Sequence, residues 1–231
     1  MTAHYGIRIT FHDVLYKYNF HGGECMKKNM LLLYIRALEK CKSKDVGDFM
    51  CKRLKELNGK SAEDILKASG QLQNIPVDLE KIIETIKVFK YPRTFDDIEK
   101  IENEEVAGLV LLRDDDIGIF YDAEATIKQK RFIIAHEIGH CCLHGDTLKE
   151  GYIEFLHKDG YADEHEKEAS LFAARLLIPE ESLLSIYNRL ILPSLNGLSD
   201  IFEVPKHLMK YRLEELKMRY YLDERDVFIT P

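Results

Sequence analysis

The chain has 231 residues, of which 45% are apolar and 32% are charged, so it is long and apolar enough to bury a core. This composition excludes disorder for the whole chain and fits one domain with appendages or two small domains. Lys and Arg number 33 against 40 Asp and Glu, a net charge of −7 that argues against a dedicated nucleic-acid binder. No uncharged stretch approaches the roughly twenty apolar residues of a membrane span.

The cysteines and the N-terminus indicate the cellular compartment of the protein. The five cysteines are an odd number without a C-x-x-C pair, which indicates reduced thiols and neither a disulfide framework nor a thiolate zinc site. The N-terminus has no apolar core of a secretory signal. We therefore expect a cytoplasmic protein. The cysteines are Cys25, Cys41, Cys51, Cys141 and Cys142.

Residues 1–70 are predicted to form a helical, peripheral region. The apolar period predicts helices at Asn29–Lys40 and Val46–Leu57, and Ser61 has the residue type of an N-cap for a third helix. Residues 27–67 carry eleven basic and six acidic residues. Such a local excess is typical of a solvated helical face, and a docking surface is the alternative.

Residues 71–192 contain the patterns of a mixed domain. A helix is predicted from Pro76, and the apolar runs Val106–Leu112 and Ile117–Tyr121 predict a hairpin. The second run could offer an edge to which an extended substrate adds as a strand, or the hairpin could be purely structural. Residues 94–124 are strongly acidic, with eleven acids and two bases.

Four helices are predicted after the hairpin. Thr126 and Gln129 have the spacing of a capping box that opens a helix to about His144. A second helix covers about Asp163–Ile178, and a third extends to about Leu192. The last region, 193–231, contains a helix from Pro205 to about Arg219. Its segment Leu198–Leu213 has the outline of a helix-turn-helix, although most such outlines are merely packed helices.

The strongest pattern is His136-Glu137-Ile138-Gly139-His140, inside the first of these helices. Histidines at positions i and i+4 lie on one helical face and can bind one zinc ion together. Glu137 then lies beside the metal, where it can take a proton from an activated water. At this composition about 0.03 such motifs are expected by chance.

A catalytic zinc site needs a third protein ligand. His144 lies too far along the helix to be this ligand, because on a straight helix it is about 6 Å beyond His140 along the axis. On a helical wheel of the next helix, Glu166 shares the buried face with Ala169 and Ala173, whereas Glu168 lies with Arg175 on the wet face. Because a buried carboxylate needs a cation, we predict Glu166 as the third ligand, with His165 as runner-up.

Two blocks of the sequence, Arg131–His144 and Glu166–Pro179, together resemble the ImmA/IrrE family of zinc metallopeptidases. The segment from Pro76 and the hairpin are also similar, so the resemblance covers about residues 71–190. One position departs from it, since Ser170 stands where the family often has asparagine.

The resemblance implies an α+β fold with a zincin-like core. In that core a small antiparallel sheet packs on the helix of the His-Glu-x-x-His motif, with mainly helical extensions on both sides. The implied metal ligands are His136, His140 and Glu166, the implied ion is Zn²⁺, and the implied catalytic residue is Glu137. The implied substrate is a helix-turn-helix repressor of a prophage, mobile element or stress response, cut at a specific peptide bond inside a bacterial cell.

Several alternatives remain open at this level. The oxyanion formed during hydrolysis needs a donor besides the metal, and Tyr152, His157 and Tyr161 are the candidates. The chain could instead be a non-proteolytic regulator that binds a repressor or DNA and holds a structural zinc. It could also hydrolyse a non-peptide bond. The acidic total makes direct nucleic-acid binding the less favoured of these.

Overall fold

The computed structural model describes residues 52–93, 106–113, 116–145, 153–157 and 164–222. These residues all belong to one compact unit, Val46–Pro231. The predicted helix Asn29–Lys40, residues 94–105, 114 and 115 of the acidic stretch 94–124, Tyr152 and Tyr161 lie outside the described residues. The proposed boundaries 1–70, 71–192 and 193–231 stay predictions.

The described residues form eight helices and four strands. The helices are α1 (Lys52–Leu57), α2 (Ala62–Ser69), α3 (Leu79–Ile86), α4 (Ile127–Leu143), α5 (Glu164–Leu177), α6 (Glu180–Tyr187), α7 (Leu195–Ile201) and α8 (Lys206–Glu215). The strands are β1 (Phe89–Arg93), β2 (Val106–Arg113), β3 (Asp116–Asp122) and β4 (Ile153–His157). None of the helices within these ranges has the length and apolarity that spanning a bilayer requires.

The helix starts follow from capping side chains, as the sequence predicts. Ser61 and Thr126 each form a capping box, with Asp64 and Gln129 respectively, and so satisfy the first backbone N–H groups of α2 and α4. The helix predicted from Pro76 begins at Leu79, because Asp78 accepts hydrogen bonds from the backbone of the first turn.

The third predicted helix ends earlier than expected. Helix α6 stops at Tyr187 and not near Leu192, and Ile191 is 97% exposed. After Tyr187 the chain turns with hydrogen bonds from the backbone N–H groups of Arg189 and Leu190 to the carbonyls three residues before them, and the proline at position 193 disfavours a helical conformation at the residue before it.

The four strands form one mixed sheet in the order β1-β3-β2-β4. Strand β2 pairs antiparallel with β3 and with β4, so the predicted hairpin is present. Strand β1 pairs parallel with β3, Phe89 lying opposite Gly118. The expectation of an antiparallel sheet is therefore wrong for this pair, because the chain reaches β1 from α3 and enters the sheet beside β3 in the same direction.

The position of β3 in the sheet shows whether a peptide substrate can add to it as a further strand. Strand β3 lies between β1 and β2, and both of its sides are paired. An extended peptide cannot add to a strand whose backbone groups are already used. The hairpin strand Ile117–Tyr121 is therefore structural, and the expectation that it offers a binding edge is wrong.

Helix α4 packs between the sheet and helix α5, and it is the centre of the core. Its residues from Ile133 to Cys142 are all buried. A Cβ atom on Gly139 would lie 3.0 Å from the backbone oxygen of Ala169 in α5, so the absence of a side chain allows the two helices to approach closely. This contact confirms the small-residue face predicted for the second helix of the site.

Helices α7 and α8 follow the helix-turn-helix outline and pack against the rest of the domain. Leu208, Met209 and Leu213 of α8 are fully buried, and α8 contacts both α5 and α7. Lys128 of α4 donates a hydrogen bond of 2.6 Å to Asp200 at the end of α7. The outline is therefore one of packed helices within this domain.

Candidate metal centre

Helix α4 places His136 and His140 on one face, one turn apart. Both side chains are buried, and their Nε2 atoms lie only 2.9 Å from each other. The rings meet edge to face, with centroids 4.7 Å apart. Two imidazole nitrogens at this distance converge on one point in front of the helix.

Helix α5 brings the carboxylate of Glu166 to the same point. Its Oε2 lies 3.1 Å from Nε2 of His136, and its Oε1 lies 3.2 Å from Nε2 of His140. The Glu166 side chain is only 14% exposed. The ligand atoms of the three predicted residues all lie within 4.8 Å of one another. The structure thus brings the three together, and their binding of an ion stays a prediction.

The donor set fits a divalent transition metal. Donors bonded to a tetrahedral zinc at 2.0–2.2 Å lie about 3.3 Å from each other, so only small shifts separate the observed arrangement from a tetrahedral one. Two neutral imidazoles and one carboxylate are ligands that such ions accept, and they leave one position open. The arrangement therefore supports a metal with a free coordination site.

Glu137 follows His136 in α4, and its carboxylate lies against strand β2. Both of its carboxylate oxygens are buried. A Cβ atom on Gly108 of β2 would lie 2.9 Å from Oε1 of Glu137 and 2.4 Å from Cγ2 of Ile133. Only glycine leaves room at this position, so Gly108 allows the carboxylate of Glu137 to sit against the strand.

Each of the two histidines also contacts a further side chain through its Nδ1 atom. Nδ1 of His136 lies 3.2 Å from the hydroxyl of Ser170, the residue that stands where the resembling family often has asparagine. Nδ1 of His140 lies 3.1 Å from Nδ1 of His144, whose Nε2 lies 2.9 Å from a carboxylate oxygen of Glu168. Such contacts orient metal-binding imidazoles.

The electrostatic environment favours in His136 and Glu166 the charge states that metal ligands need. Burial lowers the pKa of His136, because an imidazolium would lose its hydration there. Burial alone would raise the pKa of Glu166, but hydrogen bonds with His136 and His140 outweigh it and hold this pKa below its usual range. A neutral imidazole and an ionised carboxylate are the forms that bind a metal.

The residues set aside in the sequence remain outside the group of ligands. The His165 ring stacks on that of His144, with centroids 4.3 Å apart. Cys141 and Cys142 are buried and are not joined in a disulfide, and burial raises the pKa of Cys142 to about 12, so it is not a thiolate at neutral pH. His157 ends strand β4, and its side chain is outside the described residues, as are Tyr152 and Tyr161.

The sequence patterns do not identify two residues that contact the side chains of the site, Gly108 and Glu168. Gly108 carried a usable signal, because a glycine inside an apolar strand often marks the close approach of another group. Glu168 was assigned correctly to the wet face, with its side chain 52% exposed. Its contact with His144 follows from the approach of α4 and α5, which no pattern in either helix predicts.

A comparison with protein-family models matches residues 98–214 to Peptidase_M78, the IrrE N-terminal-like domain. The match covers just over half of the chain and includes the four site residues. A search of curated proteins gives no match.

Proposed function

The chain belongs to the Peptidase_M78 family of the IrrE N-terminal-like domain, and from this membership we propose that it is a zinc-dependent endopeptidase. One observation carries the proposal. His136, His140 and Glu166 converge on one point, and the next residue after His136 on the same helix, Glu137, has a buried carboxylate. This is the donor set and the base that hydrolysis of a peptide bond requires.

His136, His140 and Glu166 would hold the ion, and the open position would accept water and substrate. When bound there, zinc supplies a Lewis acid that makes water more acidic and polarises the carbonyl of the scissile bond. The imidazoles and the carboxylate are already gathered at this point, so little reorganisation is needed for binding.

Glu137 acts as the general base and then as the general acid. Its carboxylate takes a proton from the attacking water and delivers it to the leaving amine. The backbone of β2 beside Glu137 is held in place, because Gly108 belongs to a strand that is paired on both sides. A fixed carboxylate keeps its proton-accepting atom within reach of the water.

For the substrate, we place an extended peptide along β4, an outer strand of the described sheet. Leu156 of β4 is the register partner of Gly108, whose Cα faces Glu137. A peptide added to this edge would run one strand away from the general base.

We propose a helix-turn-helix repressor of a prophage, mobile element or stress response as the protein that is cut. The resemblance of the two motif blocks to the ImmA/IrrE family supports this choice. The acidic stretch 94–124 is where we expect a basic repressor to approach.

Incubation of the purified protein with the repressor encoded by a neighbouring gene tests the proposal. We expect defined fragments in the presence of zinc and none in the presence of a chelator, read by gel electrophoresis and mass spectrometry. A stable complex without fragments would contradict it and favour the non-proteolytic regulator.

Gly108→Ala should reduce cleavage by about 10²-fold while zinc remains bound, because the new methyl group displaces Glu137. Initial rates of repressor cleavage per folded molecule measure the effect, with zinc content determined in parallel. Gly197→Ala is the matched control, since its Cβ would approach only the hydroxyl of Ser194, at 3.0 Å. Equal rates for the two variants would show that Gly108 does not position the base.

A further inference from the structure

The C-terminal helices α7 and α8 lie against the stripe of α4 that leads to the metal centre. Lys128, Phe132 and His136 follow one another at intervals of four residues, so they share one face of α4. Lys128 donates a hydrogen bond to Asp200 of α7, and the ring of Phe132 contacts that of His207 in α8. The two helices with the helix-turn-helix outline therefore flank the metal centre at the N-terminal side of its helix.

Three rings in series join α8 to the metal centre. The Phe132 ring contacts that of His136, with 5.6 Å between centroids, and that of His207, with 5.3 Å between centroids. An extended peptide advances about 3.3 Å per residue, so two such contacts span no more than about three residues of a bound peptide. His207 therefore lies close to the residues that would flank a bond cut at the metal.

The imidazole of His207 is available to a molecule from outside. His207 is exposed, and its ring makes no hydrogen bond within the part of the chain that the structure describes. Packing against the protein lowers the pKa of His207, because an imidazolium would lose hydration there. At neutral pH the ring is therefore neutral and offers one N–H donor and one acceptor nitrogen.

Helix α8 holds His207 at a fixed position. The next two residues, Leu208 and Met209, are 0% exposed and belong to the core. Farther along the helix, Nε of the buried Arg212 donates a hydrogen bond of 3.1 Å to the carbonyl oxygen of Ile178. A donor on a packed helix binds a partner with little loss of conformational entropy.

We propose that His207 is a substrate-binding residue that donates a hydrogen bond to a backbone carbonyl of the peptide beside the scissile bond. This role rests on the proposed function and gives the substrate a contact in addition to the edge of β4. The helix-turn-helix outline thereby serves the binding of a peptide. The competing role is a purely structural one, in which the His207 ring only packs on Phe132.

Two substitutions separate hydrogen bonding from ring packing. His207→Phe keeps an aromatic ring against Phe132 and removes the donor, whereas His207→Gln keeps a donor and removes the ring. Lys210→Ala is the matched control, because Lys210 is an exposed residue of the same helix and pairs only loosely, at 4.0 Å, with Glu214. Initial rates at several concentrations of the repressor encoded by a neighbouring gene give kcat and KM for each full-length variant.

We expect His207→Phe to raise KM about 3- to 10-fold with kcat nearly unchanged, because the lost hydrogen bond is made equally in the ground state and in the transition state. His207→Gln should recover most of the wild-type KM, and Lys210→Ala should match wild type. Zinc content, measured on the same samples, should be equal in all four proteins.

The proposal is overturned unless KM rises in His207→Phe and recovers in His207→Gln. A KM that rises in His207→Gln and not in His207→Phe would assign the ring to packing on Phe132 alone. If wild type does not cut the repressor at all, the proposed function fails and the substrate-binding role of His207 fails with it.

Discussion

Replacing Glu137 by glutamine should leave zinc bound and reduce peptide-bond cleavage by a factor of about 10²–10⁴. Glutamine has nearly the shape of glutamate, so the packing against Gly108 is kept. Its amide cannot take a proton from water at neutral pH. The three predicted metal ligands converge without Glu137, so its replacement should remove only the proposed base.

The cleavage rate is measured with the repressor as substrate, and the zinc content by elemental analysis after dialysis. Both must be determined on the same preparation, because loss of metal would also abolish cleavage. A Glu137→Gln protein that cuts at the wild-type rate would exclude the general-base role.

Glu166→Ala should lose zinc, from about one ion per chain to nearly none after dialysis. This carboxylate contacts both imidazoles, at 3.1 Å and 3.2 Å, and it supplies the only negative charge among the three ligands. Without it, two neutral histidines remain, which is fewer than the three protein ligands that a catalytic zinc site uses.

His165→Ala is the informative control for that experiment. The sequence offers His165 as the alternative third ligand. In the structure its ring stacks on that of His144, and it does not belong to the group formed by the other three side chains. We expect this variant to retain zinc. Stoichiometric zinc in Glu166→Ala would contradict the assignment of the third ligand, and loss of zinc in His165→Ala would favour the runner-up.

The agreement between the predicted and observed helices has a local cause. The capping boxes at Ser61 and Thr126 depend on residues three positions apart, which the sequence displays directly. The same holds for the face of α5 that carries Glu166. Periodicity along one helix therefore predicted which side chains point toward the core.

The strands were harder to predict than the helices. Strand β1 is short and contains Pro92, a residue that sheets tolerate at their edges, so its pattern does not indicate a strand. Its parallel pairing with β3 depends on where α3 delivers the chain. Strand β4 was also missed, since its pairing with β2 joins segments more than forty residues apart in the chain.

The sequence by itself determined the helical face that His136 and His140 share and the face of α5 that carries Glu166, and from these it predicted the three metal ligands and the base Glu137. These depend on spacing within single helices, where geometry repeats every 3.6 residues. Four features were decided by the tertiary structure alone. They are the parallel pairing of β1 with β3, the position of β3 between two paired strands, the fit of Glu137 against Gly108, and the contact of His144 with Glu168. Each of these joins residues from different elements, and their distances arise only when the elements pack together.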